Sequence, residues 1–73
     1  MAARHFEIDA HVHWPWGRGE GHGRVAARFD ERVVRVIKGA RIVRNGSPEN
    51  PAYLIEMIDG REVLKLGSEL TVD

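Results

Sequence analysis

Three kinds of side chain in this sequence stand at spacings that could support chemistry: aromatic rings, cations and imidazoles. Trp14, Trp16 and Tyr53 come first, because a shallow aromatic slot can hold a methylated amine by cation–π attraction or a peptide by stacking. Trp14 alternates with Val12 and belongs to a core face; Tyr53 shares a face with Ile55 and Met57 and reads as mostly buried. Trp16 follows Pro15 and precedes a run of glycines, which puts it on a loop, either as a surface contact or as a lid packed over one end of the fold. A methyl-lysine cage needs about three or four aromatic walls and a carboxylate, and the five aromatic side chains here supply too few free rings.

A row of cations recurs at every third position: Arg32, Arg35, Lys38, Arg41 and Arg44. On one continuous strand successive members would face opposite ways, so a basic stripe forms only if a turn near Gly39 folds some of them together. Two readings stand. The cations are solvated charges that keep an edge strand from pairing with other chains, or Arg35, Lys38, Arg41 and Arg44 line a phosphate-binding face beside Trp16, with bases stacking on its ring. His11 and His13 project from one strand face, where two imidazoles can share a metal ion, and His5 or His22 could add a third ligand. No Cys or signature Glu accompanies them, so polar surface is the plainer reading and no metal or cofactor is expected.

Gly17, Gly19, Gly21 and Gly23 lack the Gly-Lys-Ser/Thr of a phosphate loop and the following helix of a dinucleotide fingerprint, and read as a flexible hairpin connection. Glu56, Asp59, Glu62 and Glu69 lie near a hairpin as solvated carboxylates, and neither serine has a His partner in a recognisable context. With so short a chain there is no deep pocket to desolvate an acid or base, and no catalytic constellation is expected.

The elements that must position these groups are marked off by turn chemistry. The run from Gly17 to Gly23, the segment Asn45-Gly46-Ser47-Pro48-Glu49-Asn50-Pro51 and the dipeptide Asp59-Gly60 are strong breakers. Between them, Ala10 to Trp14 alternates as a half-buried strand, and Tyr53 to Ile58 joins through Asp59-Gly60 to Glu62–Leu66 as a hairpin. Ser68-Glu69-Leu70 reads as a closing turn that plugs one end with Leu70. The middle admits two structures. Val25, Phe29, Val33 and Val36 or Ile37 fall at helical spacing before Gly39, which allows a helix over 25–38; the alternation of Val25, Ala27 and Phe29 and the β-branched runs at 33–37 and 42–43 favour strands.

Seventy-three residues hold one thin core, burying about 60% of the unfolded surface, and without cysteine neither disulfides nor thiolate zinc sites can reinforce it. One domain over 1–73 is expected. The opening residues Met1–Glu7 contain no apolar leader, and no segment approaches the roughly 18 apolar residues of a membrane helix, so a cytoplasmic chain without membrane contact is expected. Eleven Lys and Arg balance eleven Asp and Glu, which argues against a dedicated nucleic-acid binder. The balance is uneven: residues 1–44 carry nine basic and five acidic groups, residues 45–73 two and six. Such a split suits two segments pairing within the fold or between copies.

Taken in order, Val12-x-Trp14, Gly23-x-Val25, Ile37-Lys38-Gly39, Pro51-x-Tyr53-Leu54-Ile55, Asp59-Gly60, Val63-Leu64-Lys65 and Ser68-Glu69-Leu70 resemble the hypervirulence-associated TUDOR-domain family of small bacterial and fungal proteins. The likeness spans nearly the whole chain and rests on the order of these motifs, each of which is common alone. It implies an all-β, small five-stranded SH3-like/Tudor-like barrel, strongly bent, and it names no ligand. One departure is visible: where the family has Gly-Asp before its first core strand, this chain has Asp9-Ala10. The expected function is a noncatalytic interaction module that binds a protein segment or pairs with itself as a homodimer through an exposed strand edge. The alternative is a weak nucleic-acid-binding barrel using the basic segment 32–44. Trp16, Tyr53, Arg35, Lys38, Arg41 and Arg44 are the candidate ligand-binding residues.

Overall fold

The alternation of Val12 and Trp14 with His11 and His13 is realised in a computed structural model, which describes residues 5–73, as strand β1, His11–Trp16. It is followed by β2 (Gly19–Phe29), β3 (Arg32–Ile37), β4 (Ala40–Asn45), β5 (Ala52–Met57), β6 (Glu62–Leu66), a 3₁₀ turn at Gly67–Glu69 and β7 (Thr71–Val72). The N-terminal residues 1–4, on which part of the leader reading fell, lie outside the described residues. Residues 25–38 form no helix: β2 runs to Phe29 and β3 starts at Arg32, with the β-branched run Val33-Val34-Arg35-Val36-Ile37 favouring the second of these strands.

Among the described residues the seven strands form two sheets. One has five strands in the order β6-β5-β2-β1-β7, and the other is the β3–β4 hairpin, with every strand pairing among the described residues antiparallel. The all-β expectation holds, but the five-stranded barrel expected from the sequence is replaced by a five-stranded sheet with the β3–β4 hairpin as two further strands, and the ladder leaves β6 and β7 as edges without closing among the described residues.

The glycine run is mostly strand, not loop. Only Gly17 and Arg18 connect β1 to β2, with Gly17 at φ 60, the positive angle a two-residue hairpin turn requires at its first position. Trp14 then pairs with Gly21, where an added Cβ would meet the indole at 2.5 Å. Gly21 is therefore the space into which the largest core ring fits. Trp16 also belongs to a strand, as the last residue of β1 opposite Gly19. Pro15 is tolerated before it because β7 pairs only with Val12 and His13, so the missing N–H faces an edge that β7 no longer covers.

A bulge in β2 turns the chain from one face of the sheet to the other. Val25 pairs with Ile55 and Ala27 with Leu54, leaving Ala26 as the extra residue. Val25 accordingly joins one core, with Val12, Trp14, Tyr53, Ile55 and Leu70, while Ala27 and Phe29 pack into a second with Val33, Ala52, Leu54 and Leu64. The β3–β4 hairpin covers that second face through Val33, Ile37 and Ile42. The first four residues of β5, Ala52 to Ile55, are buried on both sides of the sheet and accordingly carry no charged side chain, which appears only at the exposed Glu56.

The remaining turns hold the strands in register. In the β5–β6 connection the Met57 N–H donates to the Arg61 carbonyl at 2.7 Å, and Ile58, expected in the strand, lies in the turn fully exposed. The 3₁₀ turn is capped by Glu69, whose carboxylate accepts the Leu66 N–H at 2.8 Å, and it delivers Leu70 into the first core. Asp9 stands at φ 74, a conformation glycine takes freely and aspartate tolerates, and its carboxylate accepts from Arg24.

Candidate functional site

Strand β6 is an edge of the large sheet, and β4 lies beside it without forming a ladder. Main-chain groups alternate in direction along a strand. Because Met57 bonds to Arg61, its alternate neighbours Ile55 and Tyr53 also face β6 and pair with Val63 and Lys65. Leu64 therefore turns its N–H and C=O the other way, toward the edge that β4 lies beside without pairing. A cleft of about 170 Å³ opens there, lined by Trp16, Ile37, Ile42, Arg44 and the β6 residues 62–65.

Trp16 forms the roof of this cleft. It is 40% exposed, tilted against the buried Trp14 with ring centroids 6.2 Å apart, and covered on one side by the Arg61 guanidinium 5.0 Å from its ring. Arg61 is in turn fixed by Asp59, whose carboxylate accepts the Arg61 Nε–H at 2.7 Å and its backbone N–H at 3.0 Å. These bonds hold the Asp59 carboxyl below the usual aspartate range, the backbone donor contributing most. Arg44 and Lys65 add positive charge to the cleft wall, and Glu62 opposes them. The site thus offers an aromatic roof, an apolar floor, excess positive charge and an open strand edge.

The other candidate residues separate. Tyr53 is fully buried: its hydroxyl accepts the Phe6 N–H at 3.0 Å, and the two rings meet edge to face at 5.5 Å. Its ring presents no face to a ligand. The β3–β4 register, with Val33 opposite Arg44 and Arg35 opposite Ile42, sets Arg35 and Arg44 on the sheet-facing side of the hairpin, and Arg32 and Arg41 on the outer side with Val34, Val36 and Val43. Lys38 is at the tip. Arg35 lies over Phe29 at 6.0 Å, and Arg44 alone of the row reaches the cleft. Five cations at every third position do not become one stripe, because a two-residue turn at 38–39 sorts them by parity.

Sequence reasoning did not find Arg61 or the outward-facing edge of β6. The Asp59-Gly60 turn was visible, but that its far side meets Trp16, three strands away in sheet order, depends on how strongly the sheet curls. The imidazoles also pair differently from the expected His11 with His13. His13 stands directly opposite His22, with ring centroids 5.7 Å apart, and His11 is opposite Arg24. Placing the turn at Gly17-Arg18 would have given that register directly.

A family model described as the TUDOR domain of hypervirulence associated proteins matches residues 9–70 of the chain. No curated protein and no solved structure matches. No helix among the described residues is long and apolar enough to cross a membrane, which leaves β-barrel insertion unaddressed.

Proposed function

The chain belongs to the hypervirulence-associated TUDOR-domain family, and from that premise we propose that it is a noncatalytic cytoplasmic module whose five-stranded sheet curls as an SH3-like barrel and binds an extended protein segment in the cleft beneath Trp16. The observation that carries this reading is the edge of β6, where Leu64, whose main-chain groups point away from β5, lines a mainly apolar cleft roofed by a half-exposed tryptophan. An added strand gains main-chain hydrogen bonds from such an edge, while pockets for alternate side chains supply selectivity. The cleft suits an apolar side chain against Ile42 and Leu64, and Arg44, Lys65 and Arg61 suit a neighbouring carboxylate. The curling is supported by Trp16 of β1 lining one cleft with β6.

The division of Arg35, Lys38, Arg41 and Arg44 over two faces and a tip favours a peptide over a nucleic acid, which needs a continuous basic track. Panning a random-peptide library against the purified chain tests the proposal. Enriched peptides should combine apolar and acidic residues, lose binding to Trp16→Ala, and bind Arg44→Glu at least tenfold more weakly. Peptides that bind Trp16→Ala unchanged, or saturable binding of RNA or DNA oligomers with no peptide enriched, would overturn it.

A further inference from the structure

The His13–His22 pair lies on a different part of the molecule from the cleft and shares no residue with it. Asp73 bonds through its N–H to the His11 carbonyl at 3.0 Å, so the β1 groups that face β7 are those of His11 and, two residues on, His13. The pair His13–His22 is consequently of the non-hydrogen-bonded kind, in which facing side chains approach most closely. The backbone bond of Asp73 pins the end of β7 beside them. Ligand atoms of His13, His22 and Asp73 all lie within 4.8 Å of one another.

The carboxylates are disposed on opposite edges of the two rings. Asp73 approaches both Nδ1 atoms, at 2.6 Å from His13 and 4.0 Å from His22. Glu20 approaches both Nε2 atoms, at 4.0 Å from His13 and 3.5 Å from His22. A metal-bound imidazole characteristically donates its other ring N–H to a carboxylate, which fixes the ring and strengthens the ligand.

From this arrangement we infer that His13 Nδ1, His22 Nδ1 and the Asp73 carboxylate form a binding site for a divalent transition-metal ion of the zinc class, with Glu20 accepting hydrogen bonds from the two Nε2–H groups. Two imidazoles and a carboxylate are a donor set this class prefers, and three protein ligands leave a fourth tetrahedral position for water. Ligand atoms around tetrahedral zinc stand about 3.3 Å apart, a contraction that the exposed side chains of His22 and Asp73 can make by rotation. The bound ion ties the two-residue strand β7 to the β1–β2 hairpin, a cross-link that a cysteine-free domain otherwise lacks.

Calorimetric titration of zinc chloride into the full chain, free of any affinity tag and in chelator-free buffer, tests the site. One ion should bind per chain, and His22→Gln or Asp73→Ala, each verified as folded by circular dichroism, should weaken binding at least tenfold, whereas His11→Gln should not. Absence of saturable binding at one ion per chain, unchanged affinity in folded His22→Gln, or an equal loss in His11→Gln would overturn the inference. Because Trp16 is not a ligand, none of these results bears on the peptide cleft.

Discussion

Trp14 and Gly21 determine each other. The indole is 1% exposed and lies against the strand position that has no side chain, while its Nε1–H finds no partner among the described residues. That orphaned donor costs on the order of 1–3 kcal/mol, a cost the ring's burial must exceed. Gly21→Ala would drive a methyl group into the ring, and urea unfolding should register a loss of about 1–3 kcal/mol; an unchanged midpoint would mean that Trp14 does not rest on β2. Tyr53 allows a complementary test of what is structural and what binds. Tyr53→Phe removes the acceptor of the Phe6 N–H and should cost about 1 kcal/mol, with peptide affinity unaltered because the ring is buried. A loss of peptide binding in a folded Tyr53→Phe protein would contradict its assignment to the core.

At the level of elements, the tight turns and the bulge decide which side chains meet. Lys38 and Gly39 both have positive φ, 51 and 78, the signature of a two-residue hairpin turn that lysine tolerates poorly. Lys38→Asn should therefore raise the melting temperature, by up to about 1 kcal/mol of stability, and leave the cleft untouched; destabilisation would place the turn elsewhere. The Asp59–Arg61 pair makes a pH-dependent contribution to the neighbouring hairpin. Asp59 is held below its ordinary value in the folded chain, so its stabilisation is fully present above the unfolded aspartate range and is lost as the pH falls through the lowered folded value. The melting temperature should fall on acidification in that window, and Asp59→Asn should flatten part of the fall. The Asp59-Gly60 turn and the alternation of β1 were legible in the sequence because local chemistry specifies them, whereas the turn at Gly17-Arg18 was hidden in a glycine run that reads as one connection but continues into β2. The bulge at Ala26 was not: Val25, Ala27 and Phe29 look like one face, and only pairing with β5 reveals that the chain crosses between them.

Across the whole molecule, the interior group of Val12, Trp14, Val25, Ile55 and Leu70 was legible from alternation and turn positions, and these side chains do share one core. The second core was hidden because it depends on the β3–β4 hairpin folding over the opposite sheet face. The candidate site was legible only at Trp16 and Arg44; its other walls come from elements distant in sequence. The charge division was visible, yet Arg32, Lys38 and Arg41 form no ion pair among the described residues, where the cations in pairs are instead Arg24, Arg28 and Arg61 and imidazoles. The basic hairpin thus remains available to an acidic partner, while apolar Val36, 71% exposed, lies on its outer face. Backbone amide NMR mapping distinguishes the β6 edge from the outer face of the hairpin most directly. Titration with a peptide selected by panning should shift the Trp16 indole N–H together with the amides of Ile42, Arg44 and Leu64; shifts confined to Val34, Val36 and Val43 would contradict binding at the β6 edge.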